Sequence, residues 1–386
     1  MIVSICLSEL YFKTEENYVS ESVSYNFFKN ISEFDKVFIA PVGNNYKPIP
    51  TSHNSVISRK EFIELPFFDS IKYFGLKYYL NRSFRLEVDK KFIDLINDSD
   101  IVWARNPSLA SIIFSELALK HNKKLISHIC ADIESTWNTI KYKGVKKILA
   151  FFMSKFILYK LKNITKHQNT YTLCTGSKLY NQFSSFNKNI NIFTDSIINE
   201  NTFKTKKKID STFLYVGRLS VEKGILDLIE ACKILEKKDI NFSLDIIGFG
   251  SLEVKIKSLI QEYKLSNNIN FIGSLPYEEV QNYYEKNSIF ILPSYREGFP
   301  RVILEAWAHG MPVITTNVGG IKGLGQNRKN LLFVKVKHPN SIAKTMEELI
   351  INKQLQGQMQ NYIIENRNSI TFEYQKSLVL KCIKNI

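Results

Sequence analysis

The chain has 386 residues, a hydrophobic fraction of 44%, a charged fraction of 23% and a formal net charge of +15. That length exceeds what one hydrophobic core organises and that composition is globular, so a disordered chain, a fibrous repeat and a single small domain are excluded. Five cysteines, Cys6, Cys130, Cys174, Cys232 and Cys382, are odd in number, widely spaced and without a C-x-x-C pair, which argues against a disulfide framework or a zinc site and for a reducing compartment.

The opening "MIVSICLSEL" lacks the basic n-region and the apolar length of a signal peptide. No stretch of about 18 residues is apolar and uncharged enough to span a bilayer. A cytoplasmic protein, free or held at a surface, is therefore expected. In chain order the first half carries the short apolar runs "IVSICLS", "KVFIAPV", "DIVWARN", "KLISHIC" and "TYTLCTG", separated by longer stretches of helical spacing. Runs that are apolar at nearly every position suit strands covered on both faces, so these are βαβ units around a parallel sheet. "NDSDI" holds Asp98 and Asp100 as a D-x-D pair, but the pair precedes its strand and reads as a helix-to-strand turn. His128, Asp132 and Glu134 fall at or beyond the end of "KLISHIC", where ligands of open parallel sheets bind. For His128 a buried structural role fits equally well.

From Glu134 to Asp195 there is then no acidic residue, while ten lysines follow one another, among them Lys141, Lys143, Lys146 and Lys147. Such a patch attracts polyanions: nucleic acid, an anionic membrane face or a phosphorylated substrate. Within it, "KYKGVKKILAFFMSKFILYKLKNITK" mixes eight lysines with apolar residues including Phe151 and Phe152, distributed almost all round a helix. An anionic bilayer surface contacted by Lys143, Lys146, Lys147, Phe151 and Phe152 is one reading, and a helix with one side in the core is the other. Nucleic acid is set aside, because the patch has no arginine and no recognised binding motif accompanies it.

"INENTFKTKKKID", polar and without hydrophobic period, marks the seam between two domains. We expect an N-terminal domain over 1–198, a C-terminal domain over 199–370 and a terminal helix over 371–386. The strand runs resume as "FLYVGR", "FSLDIIG", "INFIGS", "SIFILPS", "PVITTNV" and "LLFV". After the first come Gly217, Arg218 and, at the next helix start, Lys223, cations placed where a helix N-terminus already favours an anion. Gly248 and Gly250 flank Phe249 after the second, either to let backbone N–H groups approach a phosphate or as a tight turn. After "SIFILPS" stand Glu297 and Gly298, with Pro300 suited to the first turn of a helix that contains Glu305. Two carboxylates at this spacing can hold two parts of one elongated polyhydroxyl ligand; the alternative is a helix cap and a surface acid.

"YVGRLSVEKG", "DIIGFGSLE", "INFIGSLPYEEV" and "LPSYREGFPRVILEAWAHGMPVITTNVGG", in this order, resemble the C-terminal domain of the retaining glycosyltransferases of family 4, and the glutamate pair resembles that family's E-x7-E motif. "ARNPSLASIIFSELALKHNKKLISHICADIESTW" resembles the acceptor-side domain of its bacterial polysaccharide members, with Asp132 matching an aspartate after this strand. The resemblance implies the GT-B fold, two Rossmann-like doubly wound domains facing a central cleft. It implies that Arg218 and Lys223 grip the diphosphate of a nucleotide-sugar donor, that Glu297 binds hydroxyls of the transferred sugar and Glu305 those of the ribose. Gly298 and Phe299 would make backbone contacts and Ile272 and Gly273 would lie near the base. Arg301 stands where many members carry Asn, and the glycine-rich turn common after the first strand is missing from "ICLSELYFKTEENYVSES". The function implied is metal-independent, cofactor-free transfer of a UDP- or GDP-linked sugar to a glycan, lipid-diphosphate-linked, at the inner face of a bacterial membrane. A nucleotide-sugar epimerase shares the architecture and is the alternative.

Overall fold

The computed structural model describes residues 1–7, 9–20, 24–43, 55–66, 71–134, 137, 144–204, 209–321 and 323–385. Its contacts divide the chain into two units, Met1–Asp195 with Gln375–Ile386, and Ser196–Tyr374.

The first unit holds the strands β1 (Ile2–Cys6), β2 (Tyr11–Lys13), β3 (Asn17–Ser20), β4 (Asp35–Gly43), β5 (Ser55–Ser58), β6 (Phe62–Leu65), β7 (Ile101–Asn106), β8 (Lys124–Ile129), β9 (Thr170–Cys174) and β10 (Ile190–Ile192). Its helices are α1 (Ser24–Lys29), α2 (Ile71–Leu80), α3 (Arg82–Asn97), α4 (Leu109–Lys120), α5 (Val145–Lys166) and α6 (Ser177–Phe183). The sheet runs β10-β9-β8-β7-β1-β4-β2-β3-β5, with β6 also pairing β4. From β10 to β4 every pairing is parallel, the arrangement expected from the both-faces-apolar runs.

The glycine-free stretch after β1 departs from that scheme. Instead of turning into a helix, the chain forms an antiparallel hairpin, β2 on β3, which β5 extends. The Thr14 N–H donates to the Asn17 carbonyl at 2.9 Å to close the turn, and Tyr18 stacks on Phe62 with ring centroids 4.1 Å apart. Asp98 caps the end of α3, and Asp100 accepts the Ile2 N–H at 2.7 Å, so the D-x-D pair is the turn expected of it.

The second unit holds β11 (Thr212–Val216), β12 (Ser243–Ile247), β13 (Ile269–Gly273), β14 (Ile289–Leu292), β15 (Val313–Thr316) and β16 (Leu331–Val334). Its helices are α7 (Ile225–Glu236), α8 (Glu253–Glu262), α9 (Tyr277–Lys286), α10 (Arg301–Ala308), α11 (Pro339–Ile351) and α12 (Lys353–Asn366). All pairings in its sheet are parallel, in the order β13-β12-β11-β14-β15-β16. Ile289, Phe290, Ile291 and Leu292 are completely buried in central β14, each contributing about 2 kcal/mol.

The last helix, α13 (Phe372–Lys384), belongs mostly to the first unit: the Gln375 side chain accepts the Thr194 N–H at 2.9 Å and Lys376 pairs with Glu33 at 2.9 Å. Among the described residues no helix is long and apolar enough to cross a membrane.

Candidate functional site

In the second sheet the chain moves outward in one direction from β11 to β13, then returns to the other side of β11 for β14. The carboxyl ends of β11 and β14 therefore border a topological switch point, where the loops diverge and leave a crevice. Arg218 and Lys223 follow β11, and Glu297 follows β14. The structure brings the last two into direct contact: Lys223 Nζ donates to Glu297 Oε1 at 2.7 Å. Ser294 Oγ donates to the same oxygen at 2.6 Å. The Tyr295 N–H donates to the Glu222 carbonyl at 2.8 Å, tying the two loops together.

The pair is largely buried, with side chains 18% and 6% exposed for Lys223 and Glu297. Desolvating two charges is costly, and the mutual attraction plus the Ser294 hydroxyl offsets that cost only while both partners remain. Arg218 is exposed, and its carbonyl accepts from the Tyr215 hydroxyl at 3.0 Å. Burial holds that phenol well above its ordinary pKa, with the Glu297 charge adding to the rise and Arg218 opposing it. Tyr215 is thus a neutral donor within electrostatic reach of both side chains.

Next to them the ends of β11, β12 and β13 close together. Gly217 donates to the Ile247 carbonyl at 3.1 Å, and Gly248 to the Gly273 carbonyl at 2.8 Å. Gly248 has φ of 147°, and a Cβ there would stand 1.9 Å from the Gly217 carbonyl oxygen, so only glycine fits. A Cβ on Gly250 would stand 2.4 Å from the Leu219 carbonyl oxygen in the loop after β11, and Ile272 and Gly273 are half-buried at the end of β13.

Beyond β14, Gly298 is exposed with open space beside it, while Phe299 packs against the core. Pro300, expected in the first helical turn, stands one residue earlier as the cap of α10 and makes no side-chain capping bond. The N-terminal end of the α10 dipole gives the loop a partial positive charge. On α10, Glu305 Oε2 accepts the Tyr284 hydroxyl at 2.9 Å. Burial raises the Glu305 pKa, while the Tyr284 hydrogen bond and the Arg301 charge hold the rise back. Arg301 thus acts on Glu305 one turn further along its own helix.

That shift has a stability consequence. A carboxyl whose pKa is raised on folding is destabilising when ionised: the penalty is absent below the unfolded pKa, grows as pH rises through the window up to the folded pKa and is complete above it. Glu305→Gln keeps an acceptor for Tyr284 and removes the charge. It is expected to unfold at a higher temperature than the native chain at neutral pH, with the difference vanishing in acid; calorimetry at both pH values checks this. A variant less stable at neutral pH would contradict it.

Three features escaped the sequence reading. Ser294 and Tyr284 orient the two glutamates from positions 3 and 21 residues away. Gly319 and Gly320, after β15, lie so close under the Glu297 loop that a Cβ would stand 1.8 Å from the Glu297 carbonyl oxygen and 1.6 Å from that of Gly298. The signal is two adjacent glycines shortly after a buried strand, a pattern that also marks ordinary turns.

The first unit distributes its candidates differently. His128 is fully buried, its Nε2 3.0 Å from Thr175 Oγ1 and its ring edge-on to Phe193 and Trp103. It is packed as a core residue at the end of β8. Asp132 is half-buried and paired with Lys178, and its other oxygen accepts the Glu134 N–H at 3.0 Å. Glu134 is exposed and pairs with Lys155 at 3.2 Å. Of the basic segment, Lys141 and Lys143 lie outside the described residues. Lys146 and Phe152 are exposed; Lys147 and Phe151 are half-buried around Trp137, with the Phe151 ring 5.1 Å from the indole.

Residues 196–367 match the family described as glycosyl transferases group 1. The chain is 31% identical over 278 residues to the capsular polysaccharide biosynthesis glycosyltransferase CapH of Staphylococcus aureus, covering 68% of this chain and 73% of that one. It is 29% identical over 289 residues to an uncharacterized glycosyltransferase of Haemophilus influenzae, covering 74% and 76%. Among solved structures, Anabaena Alr3699/HepE in complex with UDP aligns over 100% of both chains with a TM-score of 0.68 at 13% identity, a likeness of fold that covers both Rossmann-like units.

Proposed function

The chain belongs to the group 1 glycosyl transferases, and from that premise we propose that it moves a sugar from a UDP- or GDP-linked donor to a growing glycan, lipid-diphosphate-linked, with retention of the anomeric configuration. The observation that carries the reading is the buried Lys223–Glu297 pair at the switch point. One carboxylate and one ammonium held 2.7 Å apart suit a ligand whose neutral polyol joins its anionic diphosphate. Glu297 would accept from hydroxyls of the transferred sugar. Lys223, with Arg218 and the N–H groups of Gly298 and Phe299, would face the phosphates, and Glu305 would take the ribose hydroxyls. A biosynthetic role in a bacterial capsule or similar polysaccharide is supported by CapH, and a uridine donor by the nucleotide bound to HepE.

In the reaction proposed, the bond from C1 to the diphosphate oxygen breaks and the acceptor oxygen bonds to C1 on the same face. The acceptor proton passes to a phosphate oxygen of the departing diphosphate. Stabilising that leaving group is chiefly an electrostatic task, so fixed cations supply it with no protein nucleophile and no metal. The test is to incubate the protein with UDP- and GDP-hexoses in EDTA, with and without lipid-linked glycan, and to read the new linkage by NMR. Retained configuration in EDTA is expected. Inversion, a strict need for a divalent cation, or an altered sugar nucleotide released without acceptor would each overturn a stated part. Arg218→Ala is expected to weaken UDP at least about tenfold and uridine hardly at all, because a charge-assisted contact to phosphate is lost. Equal loss for both, by titration calorimetry, would move Arg218 off the phosphates.

A further inference from the structure

Helix α5 resolves into two apolar faces. Ser154, Ile157, Leu158, Leu161, Ile164 and Thr165 are buried and form the side that packs on the sheet. Val145, Ile148, Leu149, Phe152, Phe156 and Tyr159 are all exposed, Leu149 to 63% and Phe152 to 65%. Relative to the first, they stand at positions 0, 3, 4, 7, 11 and 14, which is one continuous stripe on the opposite side of the helix. A helix with one core-facing stripe needs no second one, and an exposed stripe of this length is unfavourable in water.

The stripe is not isolated. Helix α2 packs close to α4 at Gly75, where a Cβ would come within 2.2 Å of Leu109, and it leaves Leu76, Tyr79 and Leu80 exposed. Lys160 of α5 reaches Glu116 of α4 at 2.8 Å, and Phe74 and Tyr78 of α2, Ile112 and Ile113 of α4 and Ile157 and Leu158 of α5 share one core cluster, so α2 and α5 both pack with α4 in one layer of helices. Lysines border it: Lys155, Lys162 and Lys166 fall on one flank of the stripe and Lys160 on the other.

We propose that this surface, the exposed stripe of α5 with the end of α2, docks on an anionic lipid bilayer. The occupant follows from the charge. Apolar side chains ringed by lysines match acyl chains beneath anionic headgroups. A second copy meeting this face about a two-fold axis would set lysine against lysine. The inference is independent of the transfer reading, because no donor or acceptor enters its test.

The test is co-sedimentation of the whole chain with phosphatidylglycerol-containing vesicles and with pure phosphatidylcholine vesicles, at low and high salt. Binding to the first, little to the second and loss at high salt are expected. Leu149→Asp with Phe152→Asp should abolish binding. Lys146→Glu with Lys166→Glu should lower it at least about tenfold, since each basic residue near such a surface contributes about fivefold. All four positions are exposed, so unchanged melting temperatures should confirm that the variants fold. No sedimentation with anionic vesicles, or full binding by the Leu149/Phe152 variant, overturns the proposal. So does a native dimer in analytical ultracentrifugation that this variant dissociates without any vesicle binding.

Discussion

Glu297→Gln is expected to cut kcat/KM for transfer by roughly 10- to 100-fold while leaving UDP affinity unchanged or tighter. A charge-assisted hydrogen bond to the reacting sugar contributes about 1.5–3 kcal/mol, which gives that range. The second half of the expectation comes from the ion pair. In the native chain Glu297 holds the Lys223 ammonium at 2.7 Å, and glutamine releases it to a bound diphosphate without competition. The free protein should pay for this in stability by about 1–3 kcal/mol. Lys223 is left largely buried without its counter-charge, although its 18% exposure lets water recover part of the loss. Steady-state kinetics, UDP calorimetry and thermal unfolding on one preparation separate the three effects. Near-native turnover would remove Glu297 from the reacting sugar; loss of UDP binding in step with turnover would show that the pair serves only to shape the loop.

Gly320→Ala is expected to disable the same site from behind. The new methyl would be built 1.6 Å from the Gly298 carbonyl oxygen, and the contacting atoms are backbone, so the loop must move by more than an ångström. The Gly320 N–H also donates to the Glu297 carbonyl at 3.3 Å, a bond this shift would strain. Displacing a positioned group by about 1 Å costs on the order of 100-fold in rate, and overpacking costs about 1–3 kcal/mol in stability. Activity and melting temperature should therefore fall together, and UDP binding with them. Gly298→Ala is the matched control: no atom lies within 4 Å of a Cβ built there, so the same methyl on the neighbouring loop should leave stability almost unchanged. Native activity in Gly320→Ala would mean that the loop tolerates displacement and that its geometry does not govern transfer.

Much of this protein could be read in one dimension. The strands β1, β4, β7, β8, β9 and β11 to β16 are all apolar runs noted in the sequence, because a strand covered on both faces declares itself residue by residue. β2, β3 and β5 did not declare themselves: three or four residues long, with polar residues beside apolar ones, they are strands only because β2 pairs with the edge of β4, β3 with β2 and β5 with β3. The same division holds at the site. Residue types after strand ends, with Glu297 and Glu305 two helical turns apart, were enough to assemble the candidate list. That Lys223 and Glu297 touch, that Tyr284 grips Glu305, and that Gly319 and Gly320 press on the Glu297 loop depended on partners up to 74 residues apart. For His128 the strand end allows a site role and a structural one alike, and only the fold shows it buried against Trp103 and Phe193. On α5 the sequence showed apolar residues all round the helix, and two opposite stripes cancel in any one-dimensional average. Only packing decided which stripe met the sheet and which was left to solvent. Sequence alone determined the type and chain order of the buried elements and the chemistry available, because those follow from local periodicity. Tertiary structure decided which of those groups meet, because parallel sheets place side by side strands that are distant along the chain.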